Sequence, residues 1–196
     1  GAGLLRLFEE LDRARANELK VCGPLEVVLV DDGSRDDSWA RIEEQCKRDA
    51  SYVGVKLSRN FGHQLALAAG LQTARGEAVV SLDADLQDPP EVIARLWAAH
   101  RQGYDVVYAT RAERGQESWG KRITAKLFYV LIEKLSGTPI HRNTGDFRLL
   151  SRRALTELAR LRETHLFLRG LVPWIGFPQT QVLYDRKDRV AGETHY

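Results

Sequence analysis

Residues 78–91, AVVSLDADLQDPPE, hold one complete turn of the pattern that decides the fold. Ala78 to Leu82 is a short Val-rich apolar run, predicted to be a buried strand. Asp83-Ala84-Asp85 stops it abruptly. Pro89-Pro90-Glu91 then opens a helix predicted to run to about Arg101, since proline is tolerated in a first turn.

The same alternation extends outward on both sides. Upstream, Leu25 to Val30 reads as a strand that stops at Asp31-Asp32-Gly33-Ser34. A helix from about Asp37 to Arg48 follows, with Asp36 or Asp37 as its cap. Tyr52 to Leu57 is a further strand. Asn60-Phe61-Gly62 turns the chain into a helix from His63 to Thr73, closed by Gly76 as a C-cap. Before all of these, Leu4 to Arg15 carries apolar residues at helical spacing and ends ahead of the Gly23-Pro24 break. Downstream, Tyr104 to Thr110 is another strand. Glu113 to Gly120 is polar and reads as a mobile loop, and Lys121 to Leu135 as a helix, basic in its first half and apolar in its second. Asp146 to Leu150 is a short strand, Ser151 to Leu161 a helix, and a late strand with a loop follows Phe177. Strands alternating with helices predict an α/β fold, a central mostly parallel sheet flanked by helices, in one domain over residues 1–196.

Composition narrows the function classes. Net charge is +2, which points to no polyanionic partner, and nucleic acid is not expected. Charge is unevenly placed, however: from Arg111 to Arg169 there are 13 Lys or Arg against 6 Asp or Glu. Such a stretch suits phosphates or an anionic membrane, or is a solvated basic face. Cys22 and Cys46 fit no metal motif or disulfide framework. No apolar run reaches the roughly 20 residues that span a bilayer. The chain holds no Met, so it is expected to be processed or truncated. No G-x-G-x-x-G follows any strand, which disfavours a dinucleotide oxidoreductase.

Four clusters carry chemistry. Asp83, Asp85 and Gln87 lie just past a strand, where open α/β sheets bind ligands. Their oxygens suit Mg²⁺ or Mn²⁺ held together with substrate phosphates, and the alternative is a loop of caps and turns. Asp31 and Asp32, with Ser34, could accept hydrogen bonds from a base or ribose, and Gly33 would let backbone approach a ligand closely, or the segment is an ordinary turn. Ser58 to Gln64 opens a helix whose amides suit an anion. His63 there is a general base or a surface group. Arg111, Lys121, Arg122, Lys126, Arg148 and Arg189 are arginines and lysines of the kind that pair with phosphate, or surface charges.

Taken together, the stretches VDDGSRDDS, RNFGHQLALAAGL, LDADLQDPPE, RAERGQESWGKR, TGDFRLLSR, FLRGLVPWIGF and DRVAGETHY resemble family 2 glycosyltransferases of the GT-A fold. They are most similar to the polyprenyl-phosphate glycosyltransferases, the group of dolichyl-phosphate mannose synthases and bactoprenol glucosyltransferases. The resemblance spans residues 25–196 in the family's order. It implies nucleotide contacts at Asp31, Asp32, Ser34, Asn60, Asp83 and Arg111, and a metal and diphosphate site at Asp83, Asp85 and Gln87. It implies acceptor-phosphate contacts at Arg122, Lys126, Arg148 and Arg189, and catalytic roles for Asp85, Asp146 and Arg189. It further implies an inverting, metal-dependent hexosyl transfer, glucose from UDP-glucose being favoured over mannose from GDP-mannose by RNFGHQ, GDFRLLSR and WIGF. The partners are then a nucleotide-sugar donor, a polyprenyl phosphate acceptor, a membrane surface at the cytoplasmic face of a bacterial inner membrane, and a further copy of the chain in a homo-oligomer. Two departures stand out: family members begin with an apolar strand ahead of the residue 4–15 helix, and many continue into membrane helices. Transfer to a hydroxyl acceptor and a nucleotide-binding module without catalysis are the rival readings.

Overall fold

A computed structural model describes residues 2–112, 144–161 and 168–185. The expected loop at 113–120, the helix at 121–135 and the residues Arg122, Lys126 and Arg189 lie outside them. The described elements are α1 (Ala2–Ala16), a 3₁₀ turn (Glu18–Cys22), β1 (Val27–Asp31), α2 (Ser38–Arg48), β2 (Tyr52–Lys56), α3 (His63–Thr73), β3 (Ala78–Ser81), α4 (Val92–Arg101), β4 (Val106–Arg111), β5 (Thr144–Ser151), α5 (Arg152–Arg160), α6 (Leu168–Trp174) and β6 (Gln179–Tyr184).

The strands form a parallel β1–β2 pair and a four-stranded sheet ordered β3-β5-β4-β6. β4 and β6 are parallel, whereas β5 runs antiparallel to both of its neighbours, β3 and β4. Both faces of the larger sheet are covered. Val106, Tyr108 and Leu150 pack against Leu71 of α3, Leu155 and Leu158 of α5, and Leu168 and Val172 of α6. On the opposite face Val107, Ala109, Phe147 and Leu149 pack against Val92 and Leu96 of α4. This is why the strands read as continuous apolar runs rather than alternating ones. Leu7, Phe8 and Leu11 of α1 join Tyr52 of β2 in a third cluster, which also draws in Leu29, Leu82 and Leu86. α1 therefore grips the strand ends of both sheets.

Local chemistry corrects two expectations and refines two others. α3 ends without glycine: Ala74, in extended conformation, caps it through its own N–H to the Gly70 carbonyl. Gly76 lies beyond, and its carbonyl instead accepts the Arg152 guanidinium. Pro89 and Pro90 precede α4 rather than forming its first turn, and their carbonyls accept the N–H groups of Val92 and Ile93. Asp37 is the N-cap residue of α2, as expected, but its carboxylate pairs with Arg41 (2.8 Å) instead of capping, while Asp36 accepts the Ser38 N–H (3.1 Å). Gly33, at φ +72°, is required by neighbouring backbone. A Cβ there would lie 2.5 Å from the Arg59 carbonyl carbon and 2.6 Å from the Asn60 nitrogen. A side chain at this position would also be strained by the left-handed conformation itself.

Candidate functional site

The site gathers at the carboxyl ends of β1 and β3 and at the start of β5. Asp31 is the last residue of β1 and is 2 % exposed. Its Oδ1 accepts the Ser34 N–H (3.3 Å), while its buried Oδ2 has no hydrogen-bond partner among the described residues. A buried carboxylate oxygen left unpaired is costly. Asp32 is different. Its two oxygens accept the N–H groups of Phe61 (2.7 Å) and Gly62 (2.9 Å). The anion expected at the start of α3 is thus the chain's own carboxylate, and Asp32 fixes the 59–62 loop rather than presenting a free acceptor. Ser34 and Asn60 are both exposed beside it.

Past β3, Asp83 and Asp85 are half-buried and Gln87 is buried. Asp85 Oδ1 accepts the Gln87 N–H (3.1 Å), which closes the loop on itself. Leu86 between them holds φ +58°, a conformation that L side chains rarely adopt. The Asp83 carboxyl is pushed above its ordinary value, first by burial. His63 draws it back, and the negative charges of Asp85, Asp146 and Asp88 push it further up. Carboxylates that crowd one another in this way are relieved by a cation. Among the described residues no three His, Cys, Asp or Glu side chains converge to hold an ion. Two carboxylates and a carboxamide past one strand are oxygen donors of the kind a hard divalent ion uses when substrate oxygens complete its shell.

Asp146, 5 % exposed, sits at the hub of the other half. Its Oδ1 accepts Arg148 Nη2 (2.6 Å) and Arg169 Nε (3.2 Å), and its Oδ2 accepts Arg169 Nη2 (2.9 Å) and pairs with His63 Nε2 (2.9 Å). Its backbone carbonyl also accepts a short hydrogen bond from the Ser81 hydroxyl. Burial alone would raise this carboxyl, but hydrogen bonds from His63 and Arg169 and the charge of Arg148 hold it well below the usual carboxylate range. Arg148, expected at the acceptor phosphate, is 2 % exposed. Its guanidinium faces Asp146, the Leu168 carbonyl (3.4 Å) and the Tyr108 ring, so it is a buried structural cation and not a phosphate ligand. The exposed arginine of the cluster is Arg169, which the sequence reading missed. α6 presents it because the Leu168 N–H is held by Gln64 Oε1 (3.2 Å). Arg111, at the end of β4, approaches Asp88 Oδ1 at 3.9 Å, and Tyr184 donates a short hydrogen bond to the same oxygen.

His63 was singled out only as a base or a surface group, yet it links the two halves. Its hydrogen bond to Asp146 raises its pKa despite partial burial, and Asp83 adds to the effect. A raised native pKa contributes stability that is full below about 6.5 and is lost as pH rises through the native value. The depressed Asp146 carboxyl acts in the other direction, contributing above about 3.9 and losing that contribution as pH falls. The His63 ring is therefore expected to titrate above about 6.5 in a proton NMR titration, and Asp146→Asn is expected to bring its midpoint back down.

Comparison with known proteins places this geometry. The chain is 44% identical over 191 residues to YkcC, an uncharacterized glycosyltransferase of Bacillus subtilis, covering 97% of this chain and 57% of YkcC. It is 42% identical over 168 residues to the bactoprenol glucosyl transferase of Shigella phage SfX, covering 86% of this chain and 55% of that protein. The chain thus spans little more than half the length of these relatives. Among solved structures, the mannosyltransferase PcManGT of Pyrobaculum calidifontis, determined with GDP-Man and Mn²⁺, matches with a TM-score of 0.59 at 20% identity, over 93% of this chain and 54% of that one. That likeness establishes the GT-A fold. With residues 8–159 matching the family model, the chain belongs to glycosyl transferase family 2.

Proposed function

We propose that this chain is the catalytic part of an inverting glycosyltransferase that moves a hexose from a nucleotide-sugar donor to a polyprenyl phosphate at a membrane surface. The bactoprenol glucosyl transferases among its relatives support the acceptor, and they favour glucose from UDP-glucose over mannose from GDP-mannose. The observation that carries the reading is the state of Asp146. Both oxygens of its carboxylate are engaged by His63, Arg148 and Arg169, cationic partners that favour the ionised form and make it a poor proton acceptor. A hydroxyl acceptor needs a base, whereas a phosphate monoester is already an anion and needs none.

In this mechanism the acceptor phosphate oxygen attacks the anomeric carbon in line. The bond from that carbon to the diphosphate breaks, so the sugar leaves inverted on the lipid phosphate and the nucleoside diphosphate departs. Asp31 takes a donor N–H or O–H of the nucleotide on its unpaired Oδ2, and Ser34 and Asn60 flank it. Asp83 and Asp85, with Gln87 as a third oxygen, would hold Mg²⁺ or Mn²⁺. Such an ion supplies neutralisation of the charge on the departing diphosphate. Arg111 reaches the donor phosphates from the end of β4. Asp146 is a positioning residue: it fixes His63 and Arg169 in the cleft, so that catalysis rests on alignment and preorganised charge. Arg122, Lys126 and Arg189 remain proposed acceptor contacts. Among the described residues no helix is long and apolar enough to cross a membrane.

The test is a matrix of UDP-glucose and GDP-mannose against a short polyprenyl phosphate and free sugar hydroxyls, with Mn²⁺ or with chelator. The expected product is a glucosylated polyprenyl phosphate formed only with the metal. Transfer confined to hydroxyl acceptors would refute the phosphate reading.

A further inference from the structure

Beside the Asp146 hub lies a pocket of about 370 Å³, lined by Phe61, Gly62, His63, Gln64, Leu65 and Arg169. Its walls join two chemistries. Phe61 and Leu65 are large apolar side chains left 39% and 41% exposed at the start of α3. Around them stand cations. Arg59 stacks its guanidinium 3.9 Å from the Phe61 ring centroid. Arg169 is about half-exposed (52%), and the His63 ring, hydrogen-bonded to Asp146, is also part of the lining. Two exposed apolar residues next to a catalytic cleft are costly for a purely water-soluble sugar acceptor and favourable for a lipid one. A neutral sugar hydroxyl would gain less from the cationic rim than an anionic phosphate would.

We infer that this pocket receives the head of the acceptor: Arg169 meets its phosphate, and Phe61 and Leu65 cover the first isoprene unit. The inference rests on the polyprenyl-phosphate reading and deepens it by giving the lipid a place. The phosphate then lies beside His63 and Asp146, within the cleft that Asp83 lines, while the hydrocarbon leaves past the exposed face of α3. Asp32 has a part in this, because its hold on the Phe61 and Gly62 N–H groups sets the direction of the Phe61 side chain.

The experiment compares the full chain with the double variant Phe61→Ala, Leu65→Ser. Both side chains are exposed, so an unchanged melting temperature serves as the folding control. Two readouts are taken: binding of farnesyl phosphate, with farnesol and inorganic phosphate as controls, and the KM for each substrate. The parent is expected to bind farnesyl phosphate and neither control. The variant is expected to weaken that binding and raise the acceptor KM by about tenfold, with the nucleotide-sugar KM unchanged. If the parent glucosylates the lipid phosphate and the variant does so with the same acceptor KM, or with a raised donor KM instead, the pocket assignment falls while the function stands. If the parent neither binds nor glucosylates farnesyl phosphate, the acceptor reading falls and the pocket assignment with it.

Discussion

Asp85→Asn is expected to lower sugar transfer by at least about 10³-fold, equivalent to roughly 4 kcal/mol of transition-state stabilisation. The substitution is chosen because it is nearly silent for the fold. Asp85 Oδ1 accepts the Gln87 N–H, and an asparagine oxygen can keep that bond. Asp85 is only half-buried, so no large cavity or stranded charge results. The melting temperature should therefore move by less than about 2 °C. What is lost is one of the two carboxylates proposed to hold a divalent ion against the donor diphosphate. The measurement is kcat at saturating donor and Mn²⁺, paired with a thermal melt. Full activity in this variant would remove the metal assignment from Asp83 and Asp85 together.

Arg148→Met is expected to act in the reverse sense, costing about 3–5 kcal/mol of stability and on the order of 10 °C in melting temperature. Arg148 is 2 % exposed on β5, the strand between β3 and β4. Removing its guanidinium takes from buried Asp146 the nearest of its cationic partners, at 2.6 Å, and leaves the Leu168 carbonyl without that donor. The remaining partners of Asp146, His63 and Arg169, are the exposed members of the cluster and pair less strongly. Arg169→Met is the contrasting case: its melting temperature should hold while its acceptor kinetics fail. A stable Arg148→Met protein with a raised acceptor KM would restore Arg148 to the phosphate and contradict the buried pair.

Much of this was legible in the sequence, and the reasons can be traced to particular residues. The bounds of α3 match those expected from the Ala and Leu spacing between His63 and Thr73. Asp83 and Asp85 fall past β3 as expected, because an apolar run interrupted by two carboxylates cannot remain a strand interior. The reversal of β5 was not legible, since strand direction is set by a connection that periodicity does not encode. Arg148 was misplaced because residue type alone does not separate a buried arginine from a surface one. A usable signal was nevertheless there. Arg148 lies between Phe147 and Leu149, which face α4, and two residues from both Asp146 and Leu150, which share its face. A strand apolar on both sides leaves no room for a solvated cation, and a carboxylate at i−2 is its natural partner. Arg169 carried no comparable signal, because its role depends on how Gln64 and Leu168 dock α6.

The left-handed Leu86 sets a limit on how this loop can be improved. Glycine would accept the +58° torsion without strain, and on backbone grounds Leu86→Gly looks like a relief. Leucine at that position, however, reaches into the cluster formed by Leu7, Phe8 and Leu11, and so ties the acidic turn to α1. The molecule tolerates an awkward torsion in exchange for an anchor. A variant selected only for thermal robustness would tend to discard that compromise and set the two carboxylates adrift, so engineering for heat resistance at this turn should come at the expense of turnover.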